Sequence, residues 1–301
     1  MTTDWIYLAI LSALALAIVN VIDSHLMSHR MPSLKSFLIP VGIIFFIMGV
    51  VFTFLFPLQP TNPLHITIAV ISALLRAAPI YIMLDLFRKE EVSVVVPVVY
   101  AYPIFVAILA VPLLGEFLTL PEWIAILMVV AGAIMISVKK TGPDGGGKWN
   151  FKILAVLTGC AFMLALSDIS AKFALESISS QNLFWITSIT MGLVYMALAL
   201  RPSVWKELLS MAKLRGTMII IGSNEILALT GVLLSFAAIQ RGPVSLVSTI
   251  FSTRPLFVII ASFIISHLFP SFLKWENPRL ITIRIVAVLM IIAGIAIINI
   301  I

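Results

Sequence analysis

Ten long apolar runs constrain what this chain can fold into more than any other feature of its sequence. A bilayer core about 30 Å thick takes about 20 apolar residues per spanning helix, so each run is long enough to cross it. Prolines and polar residues between the runs are typical helix stops. The sequence therefore predicts an all-α integral membrane protein with ten transmembrane helices. The runs lie at residues 5–27, 37–56, 64–87, 92–112, 120–138, 151–173, 182–200, 216–239, 243–267 and 279–300.

The composition excludes a soluble domain. Of 301 residues, 61% are hydrophobic and only 11% are charged, whereas soluble domains carry about 25% charged residues. The lone cysteine, Cys160, lies inside an apolar run, so no disulfide framework, thiolate cluster or redox cofactor is expected. The net charge of +6 comes from Lys and Arg scattered through short loops, so no nucleic acid partner is expected. The predicted partners are the lipid bilayer and a small molecule.

A charged, glycine-rich stretch near mid-chain divides the runs into five and five. It covers residues 139–150 and predicts a flexible linker. The predicted domains are a first five-helix repeat over residues 1–138 and a second over 151–301. Because five is an odd number, the second repeat would enter the membrane from the opposite side, so the repeats are expected to be inverted.

Short sequence matches between the halves support a duplication. Moving the first half along by 152 residues places Pro103-Ile104-Phe105 on Pro255-Leu256-Phe257, and the Val-Ser pair at 92 on the one at 244. An Ala-Gly pair near the end of the fifth run likewise corresponds to one near the end of the tenth. Chance similarity between apolar helices is the alternative.

The most specific motif of the chain follows the fourth run. Tyr102-Pro103-Ile104-Phe105 leads to Gly115-Glu116 and Trp123, before Val130-Ala131-Gly132 in the fifth run. A proline followed by Gly-Glu at this spacing resembles the EamA-type branch of the drug/metabolite transporter superfamily. The resemblance implies a ten-helix carrier of metabolites or drugs, built from two repeats, with a central cavity lined by helices of both.

The sequence departs from the pattern of that family at two places. Family members often carry an Asn in the first repeat helix and a Lys one turn later, whereas Ser24 follows Asn20 here. His267-Leu268 stands where the second repeat would carry Gly-Glu. Both departures leave the implied fold intact and weaken any inference about the substrate.

Charged side chains inside the runs are the first candidates for function. A charge in the hydrocarbon layer costs at least about 2.5 kcal/mol, so each one needs a partner, a wet cavity or a route to the interface. Arg76, Glu225 and Arg254 lie near mid-depth, and Asp168 lies nearer a helix end. Together with polar and aromatic neighbours, the candidate substrate-binding residues are Asn20, Arg76, Tyr100, Tyr102, Asp168, Asn224, Glu225 and Arg254.

Two interpretations of the arginines remain open. Arg254 precedes Pro255 at the position that matches Tyr102, where a substrate would sit between inverted repeats. Two mid-depth arginines favour an anionic or zwitterionic cargo, such as an amino acid, because a guanidinium binds a carboxylate or phosphate bidentately. The alternative is structural pairing, of Arg76 with Glu225 and of Arg254 with Asp168 or Glu225, which would leave room for a cationic cargo.

Prolines predict where helices bend. Pro97 and Pro103 in the fourth run and Pro255 in the ninth remove backbone donors, which makes them candidate helix breaks for gating. His25 and His29 stand one turn apart, a spacing that suits a metal ion, but the sequence offers no third ligand nearby. No metal site is therefore expected.

Secondary active transport is the function that these features favour. The sequence contains no phosphate-binding loop of the G-x-x-x-x-G-K-[ST] type, so a substrate or ion gradient is the expected driving force. Asp168 or Glu225 is the expected group for coupling to protons or another ion. The alternative is an intramembrane enzyme acting on a lipid-linked substrate, but neither an H-E-x-x-H nor a G-x-S-x-G motif occurs. We therefore expect a transporter and not an enzyme.

The distribution of Lys and Arg predicts the orientation of a multi-pass protein of the cell membrane. Fifteen of these residues lie in or beside the connections after runs one, three, five, seven and nine, whereas the opposite side holds only Arg241. The positive-inside rule makes the rich connections cytoplasmic and places both termini outside. The family resemblance would imply termini inside, but the charge bias is extreme, so we expect them outside.

Overall fold

The chain folds as a helical bundle. The computed structural model describes residues 4–87, 95, 98–99, 101–136, 151–211, 214–268 and 281–300, and no strand occurs among them. Pro97, Tyr100 and the predicted linker over residues 139–150 lie outside these described residues. The helices of the first half are α1 (Asp4–His25), which continues into a π-helical turn at Leu26–Arg30, α2 (Leu34–Leu55), α3 (Pro63–Leu86), α4 (Pro103–Leu114) and α5 (Leu120–Ile136).

The second half begins at residue 151 and is helical in the same way. Its helices are α6 (Phe151–Ala174), α7 (Ser180–Ala199), α8 (Pro202–Leu209), α9 (Leu214–Arg241), α10 (Val244–Phe251), α11 (Arg254–Leu268) and α12 (Ile281–Ile300). The short helix α8 lies between the seventh and eighth apolar runs and buries Val204 and Leu208. The sequence analysis did not predict it, because eight residues are too few for a spanning helix.

The predicted all-α, multi-pass class is confirmed. Within the described part of the chain, seven helical segments are long and apolar enough to cross a membrane. Three further apolar helices, Pro103–Leu114, Leu120–Met135 and Ile285–Ile300, are shorter. The figure of ten spanning helices therefore stays a prediction.

Side-chain caps explain where several helices begin. Ser33 accepts a hydrogen bond from the backbone N–H of Ser36 at 3.2 Å, and the Ser36 hydroxyl accepts one from Ser33 N–H at 3.2 Å, which closes a capping box at α2. Asn62 caps α3 through Leu64 N–H at 2.9 Å. These side chains satisfy N–H groups that have no partner within the first turn of a helix.

The ninth apolar run is not one continuous helix. Its first helix, α10, ends at Phe251. Ser252 and Thr253 form a turn, and the second helix, α11, begins at Arg254. Because Pro255 has no N–H, it cannot extend the hydrogen bonds of α10 into α11. The amide of Thr253 instead donates to Ile250 O at 3.0 Å.

The same hydrogen bonds occur at matching positions in both halves. In the first half, Ala101 N–H donates to Val98 O at 3.4 Å and Ile104 N–H to Ala101 O at 3.3 Å. The residues 152 positions later repeat both bonds: Thr253 N–H donates to Ile250 O at 3.0 Å and Leu256 N–H to Thr253 O at 2.9 Å. Each set surrounds the start of a helix whose first or second residue is proline.

The most extensive helix packing joins the two halves. Helix α2 packs on α7, α1 on α9, α3 on α6, and α5 on α12. In chain order of the apolar runs, the counterparts of α1, α2, α3 and α5 are α6, α7, α9 and α12. If each helix is exchanged with its counterpart, the same four pairs result. Serines join two of the pairs: Ser12 Oγ donates to Gly231 O at 2.8 Å between α1 and α9, and Ser72 and Ser167 each donate to the other's carbonyl between α3 and α6.

Glycines allow α2 and α7 to approach closely. A Cβ added at Gly192 would lie 2.7 Å from Phe46 N and 2.9 Å from Gly42 O, and both of these atoms belong to the backbone of α2. A backbone cannot yield as a flexible side chain does, so small residues are required at this contact. By contrast, a Cβ added at Gly159 in α6 would meet no atom within 4 Å.

We expect Gly192→Ala to destabilise the protein, because the added methyl group forces α2 and α7 apart. Overpacking of this kind costs about 1–3 kcal/mol. Gly159→Ala is the matched control and should leave stability unchanged or raised, since alanine is the better helix former. Thermal unfolding of the purified variants in detergent measures both. Equal melting temperatures for the two variants would show that the α2–α7 contact is not tight.

Candidate functional site

A buried ion pair joins α3 to α6. Arg76 Nη2 lies 2.5 Å from Asp168 Oδ1, and the two residues are 9% and 2% exposed. The guanidinium carbon of Arg76 also lies 5.3 Å from the ring centroid of Phe236 in α9. The Arg76 Nε atom is buried and has no hydrogen-bond partner among the described residues. Arg76 is therefore paired with Asp168, and the pairing with Glu225 that the sequence allowed is wrong.

Tyr102 and Arg254 complete a group that we call the arginine cluster, consisting of Arg76, Tyr102, Asp168 and Arg254. Tyr102 is 3% exposed, donates a hydrogen bond to Asp168 and lies within electrostatic range of both arginines. Arg254 is 9% exposed, and its guanidinium carbon lies 5.3 Å from the Phe251 ring centroid. The cluster holds two guanidinium groups and one carboxylate, so its formal charge is positive.

The helix breaks position this cluster. Tyr102 is the residue before Pro103 at the start of α4, and Arg254 is the residue before Pro255 at the start of α11. Both side chains are therefore held at turns where the regular helical hydrogen bonding is interrupted. Irregular backbone at membrane depth is tolerated where it is buried in protein or lines a cavity.

A second group of candidates lies between α1 and α9, and we call it the acidic cluster: Asp23, Asn224 and Glu225. Asn224 Nδ2 donates to Asp23 Oδ1 at 2.7 Å. Asn224 is 1% exposed and Glu225 is 4% exposed, whereas Asp23 is partly buried. Asp23 and Glu225 also interact electrostatically.

Sequence reasoning missed two residues of this region. Asp23 was not among its candidate residues, whereas the structure gives it a buried amide partner. It did not consider Tyr195, which is 1% exposed and interacts electrostatically with Asp23, Glu225 and Arg76. Tyr195 therefore lies between the acidic and arginine clusters, a placement that only the packing of α7 reveals.

Asn20 lies on the inner side of α1. Tyr7, Leu11 and Leu14 form the exposed stripe of this helix, and at 100° per residue Asn20 projects to the opposite side. Asn20 is nevertheless partly exposed.

Glu116 holds the start of α10. Gly115 ends α4 with φ of 67°, a left-handed conformation that glycine adopts without strain. The chain then turns so that the Glu116 carboxylate accepts hydrogen bonds from Val244 N–H at 2.6 Å, Ser245 N–H at 3.2 Å and Ser245 Oγ at 2.5 Å. A carboxylate is favourable at this position because the first N–H groups of a helix carry partial positive charge.

Lys172 holds the end of α9 beside it. Its ammonium donates to Ile239 O at 2.8 Å and to Gly242 O at 2.7 Å, and it is attracted electrostatically to Glu116. We call these contacts of Glu116 and Lys172 with the turn at residues 242–245 the closing cluster. The sequence flagged Gly115-Glu116 as a family motif, but it gave no sign that its partner is the loop between α9 and α10.

The closing cluster lies at the end of the bundle away from most Lys and Arg residues. It joins the ends of α4, α6 and α9, whereas the connections rich in basic residues follow α1, α3, α5 and α7. A contact at the same end also joins the connection after α2 to the first turn of α7, since Asn182 Nδ2 donates to Phe56 O at 2.8 Å. Charged and polar contacts thus join several helices at this end of the bundle.

No cluster suited to a metal ion occurs among the residues that the structure describes. His25 and His29 stack on each other, with ring centroids 5.0 Å apart.

Comparison with known proteins identifies the first half of the chain. Residues 3–138 match the model of the EamA-like transporter family. A solved crystal structure with 15% sequence identity superposes on 98% of this chain and 95% of its own length, with a TM-score of 0.68. At that identity the likeness concerns the fold alone, but it extends over both halves. No curated protein sequence matches the chain.

We expect Asp168→Asn to destabilise the protein, because Arg76 would keep a buried charge without its carboxylate. Breaking one partner of a buried ion pair costs about 3–5 kcal/mol. The double variant Arg76→Met with Asp168→Asn should recover much of that loss, since no lone charge remains. Melting temperatures of the single and double variants measure the coupling. A single variant as stable as the parent would contradict the assigned pairing.

Proposed function

Because residues 3–138 of this chain match the EamA-like transporter family, we propose that the protein is a secondary active transporter of a small organic metabolite. It carries its cargo through a central cavity by alternating access, either as an exporter or as an importer. Family membership favours this function over the intramembrane enzyme considered from the sequence. The multi-pass helical fold, with buried charges inside the bundle, supports it further.

The transporter is built from two inverted five-helix repeats, the first over residues 1–138 and the second over 151–301. Two observations support this architecture. The hydrogen bonds around Ala101 and Thr253 are equivalent at a separation of 152 residues. The helix packing is also unchanged when the halves are exchanged, as a two-fold axis relating the repeats requires.

The arginine cluster is the binding site for the cargo, and the two buried guanidinium groups that it brings together are the observation that carries this assignment. Arg76 is paired with Asp168, and Arg254 supplies the second guanidinium group at the helix break. Arg76 Nε also keeps a buried donor that has no acceptor among the described residues. A carboxylate or phosphate supplies acceptors for both arginines, so the cargo is anionic or zwitterionic.

A zwitterion such as an amino acid fits the wider arrangement. The arginine cluster would receive its carboxylate, and the acidic cluster would face its ammonium group, with Tyr195 between them. Asn20, Tyr102 and Asn224 would orient the molecule through hydrogen bonds. Tyr100 belongs to the same predicted site by its place in the sequence.

Alternating access requires that one end of the cavity closes while the other opens. The closing cluster supplies a closed end through Glu116 and Lys172. The helix breaks at Pro103 and Pro255 supply places where α4 and α11 can pivot. Pro97 would act with Pro103. The Lys- and Arg-rich connections face the cytoplasm, so the closed end and both termini face outward.

Coupling to an ion gradient is the proposed driving force. The sequence indicated Asp168 or Glu225 as the coupling acid. Asp168 is held by Arg76 and Tyr102, whereas the Glu225 side chain makes no hydrogen bond or ion pair among the described residues. Glu225 is therefore the better placed of the two to exchange a proton or another ion.

We expect Arg254→Lys to weaken binding of the cargo by about tenfold or more, because lysine keeps the charge but loses the planar fork of donors. A thermal-shift screen of the purified protein against metabolites identifies the cargo, and flux of that compound into proteoliposomes then measures transport. Arg241→Lys, at an exposed arginine, is the matched control and should transport like the parent. Unchanged affinity of the Arg254 variant would remove Arg254 from the site. Chemical conversion of the compound would contradict transport itself.

A further inference from the structure

We propose that Asp23, Asn224 and Glu225 form a buried binding site for one monovalent cation. The inference rests on the proposed function, since the cation is either the ion that drives transport or the amine of a zwitterionic cargo. Both sources share one chemistry, which is a single positive charge bound by oxygen atoms.

The first observation is an oxygen atom without a partner. Asn224 is 1% exposed, and its Nδ2 donates to Asp23 Oδ1 at 2.7 Å, so the amide is aimed into the acidic cluster. Its Oδ1 is buried and has no hydrogen-bond partner among the described residues. A buried acceptor left unpaired costs about 1–3 kcal/mol. A bound cation or an N–H donor would remove that cost.

The second observation is two acidic side chains that lie together without a basic partner. Glu225 is 4% exposed, and neither it nor Asp23 forms an ion pair within the described part of the chain. The two carboxyl groups interact electrostatically across the α1–α9 contact. Buried acids in this arrangement stay ionised only if a cation binds beside them, and otherwise they take up a proton.

The groups that face this pair from neighbouring helices do not supply a balancing positive charge. Tyr195 of α7 interacts with both acids but carries no positive charge. Arg76 of α3 also interacts electrostatically with Tyr195, but it is bound to Asp168. His25, two residues after Asp23, stacks on His29. Neither Tyr195 nor Arg76 therefore supplies a charge that balances the two acids.

The number of ligands favours a monovalent cation. Three side chains offer oxygen atoms here, whereas Ca²⁺ takes 6–8 oxygen ligands. A proton, Na⁺ or an alkylammonium group needs fewer. Asp23 is only partly buried, whereas Glu225 is 4% exposed.

The test is thermal unfolding of the purified full chain in detergent, without cargo. Three probes are compared at constant ionic strength, with choline chloride as the replacement salt: NaCl, methylammonium chloride, and a fall in pH from 8 to 5. We expect at least one probe to raise the melting temperature in a saturable way, by about 5 °C at saturation. Sodium or pH dependence identifies the driving ion, and methylammonium dependence identifies a cargo amine.

Glu225→Gln and Asp23→Asn keep the shape of each side chain and remove its charge, so both variants should lose the probe-dependent shift. Asp4→Asn is the control, because it removes an exposed acid from α1, the helix that carries Asp23, and should keep the full shift. The proposal is overturned if no probe stabilises the wild-type protein saturably, or if Glu225→Gln retains the shift. Since this assay contains neither cargo nor gradient, its failure is distinct from a failure of cargo flux.

Discussion

The need to pair every backbone polar group inside the bilayer governs this structure. A helix that breaks at membrane depth exposes donors and acceptors that lipid cannot satisfy, so the break must lie inside the protein. The break between α10 and α11 meets this requirement with its own hydroxyl groups. Ser252 Oγ donates to Thr249 O at 2.7 Å, and Thr253 Oγ1 donates to Ile250 O at 2.7 Å. All residues of α10 are buried, which leaves Arg254 held at an interior turn.

That placement organises the buried charge. Two arginines lie in the arginine cluster and two acids lie in the acidic cluster, and Tyr195 interacts electrostatically with Arg76 of the first and with both acids of the second. The Arg76–Asp168 pair ties α3 to α6, while the Asn224–Asp23 hydrogen bond ties α9 to α1. These are equivalent helix pairs in the two halves. A substrate or ion that binds between the clusters would therefore affect two of the four helix pairs that join the halves of the chain.

Hydropathy was enough to predict the class of the fold. The sequence did not predict the side-chain contacts, because these depend on how each helix is rotated about its axis. Apolar runs revealed the all-α class and the depth of Arg76. They could not reveal which acid lies beside it, because depth gives no information on the direction in which a side chain points. The hydrogen bonds of Glu116 and Lys172 with the α9–α10 turn join residues far apart in sequence, and no local sequence pattern predicts them. Asp23 was missed because its position near the end of the first apolar run suggested an acid at the membrane interface.

The central claim is that the interior of the bundle is reached from the end with the basic connections while the closing cluster seals the other end. Its most direct test uses Asn20→Cys in a Cys160→Ala background, since Cys160 is the only native cysteine. A membrane-impermeant thiol reagent is applied to right-side-out and inside-out vesicles. The account predicts reaction of the introduced thiol from the side of the Lys- and Arg-rich connections. Reaction only from the opposite side, or from neither side, would contradict it.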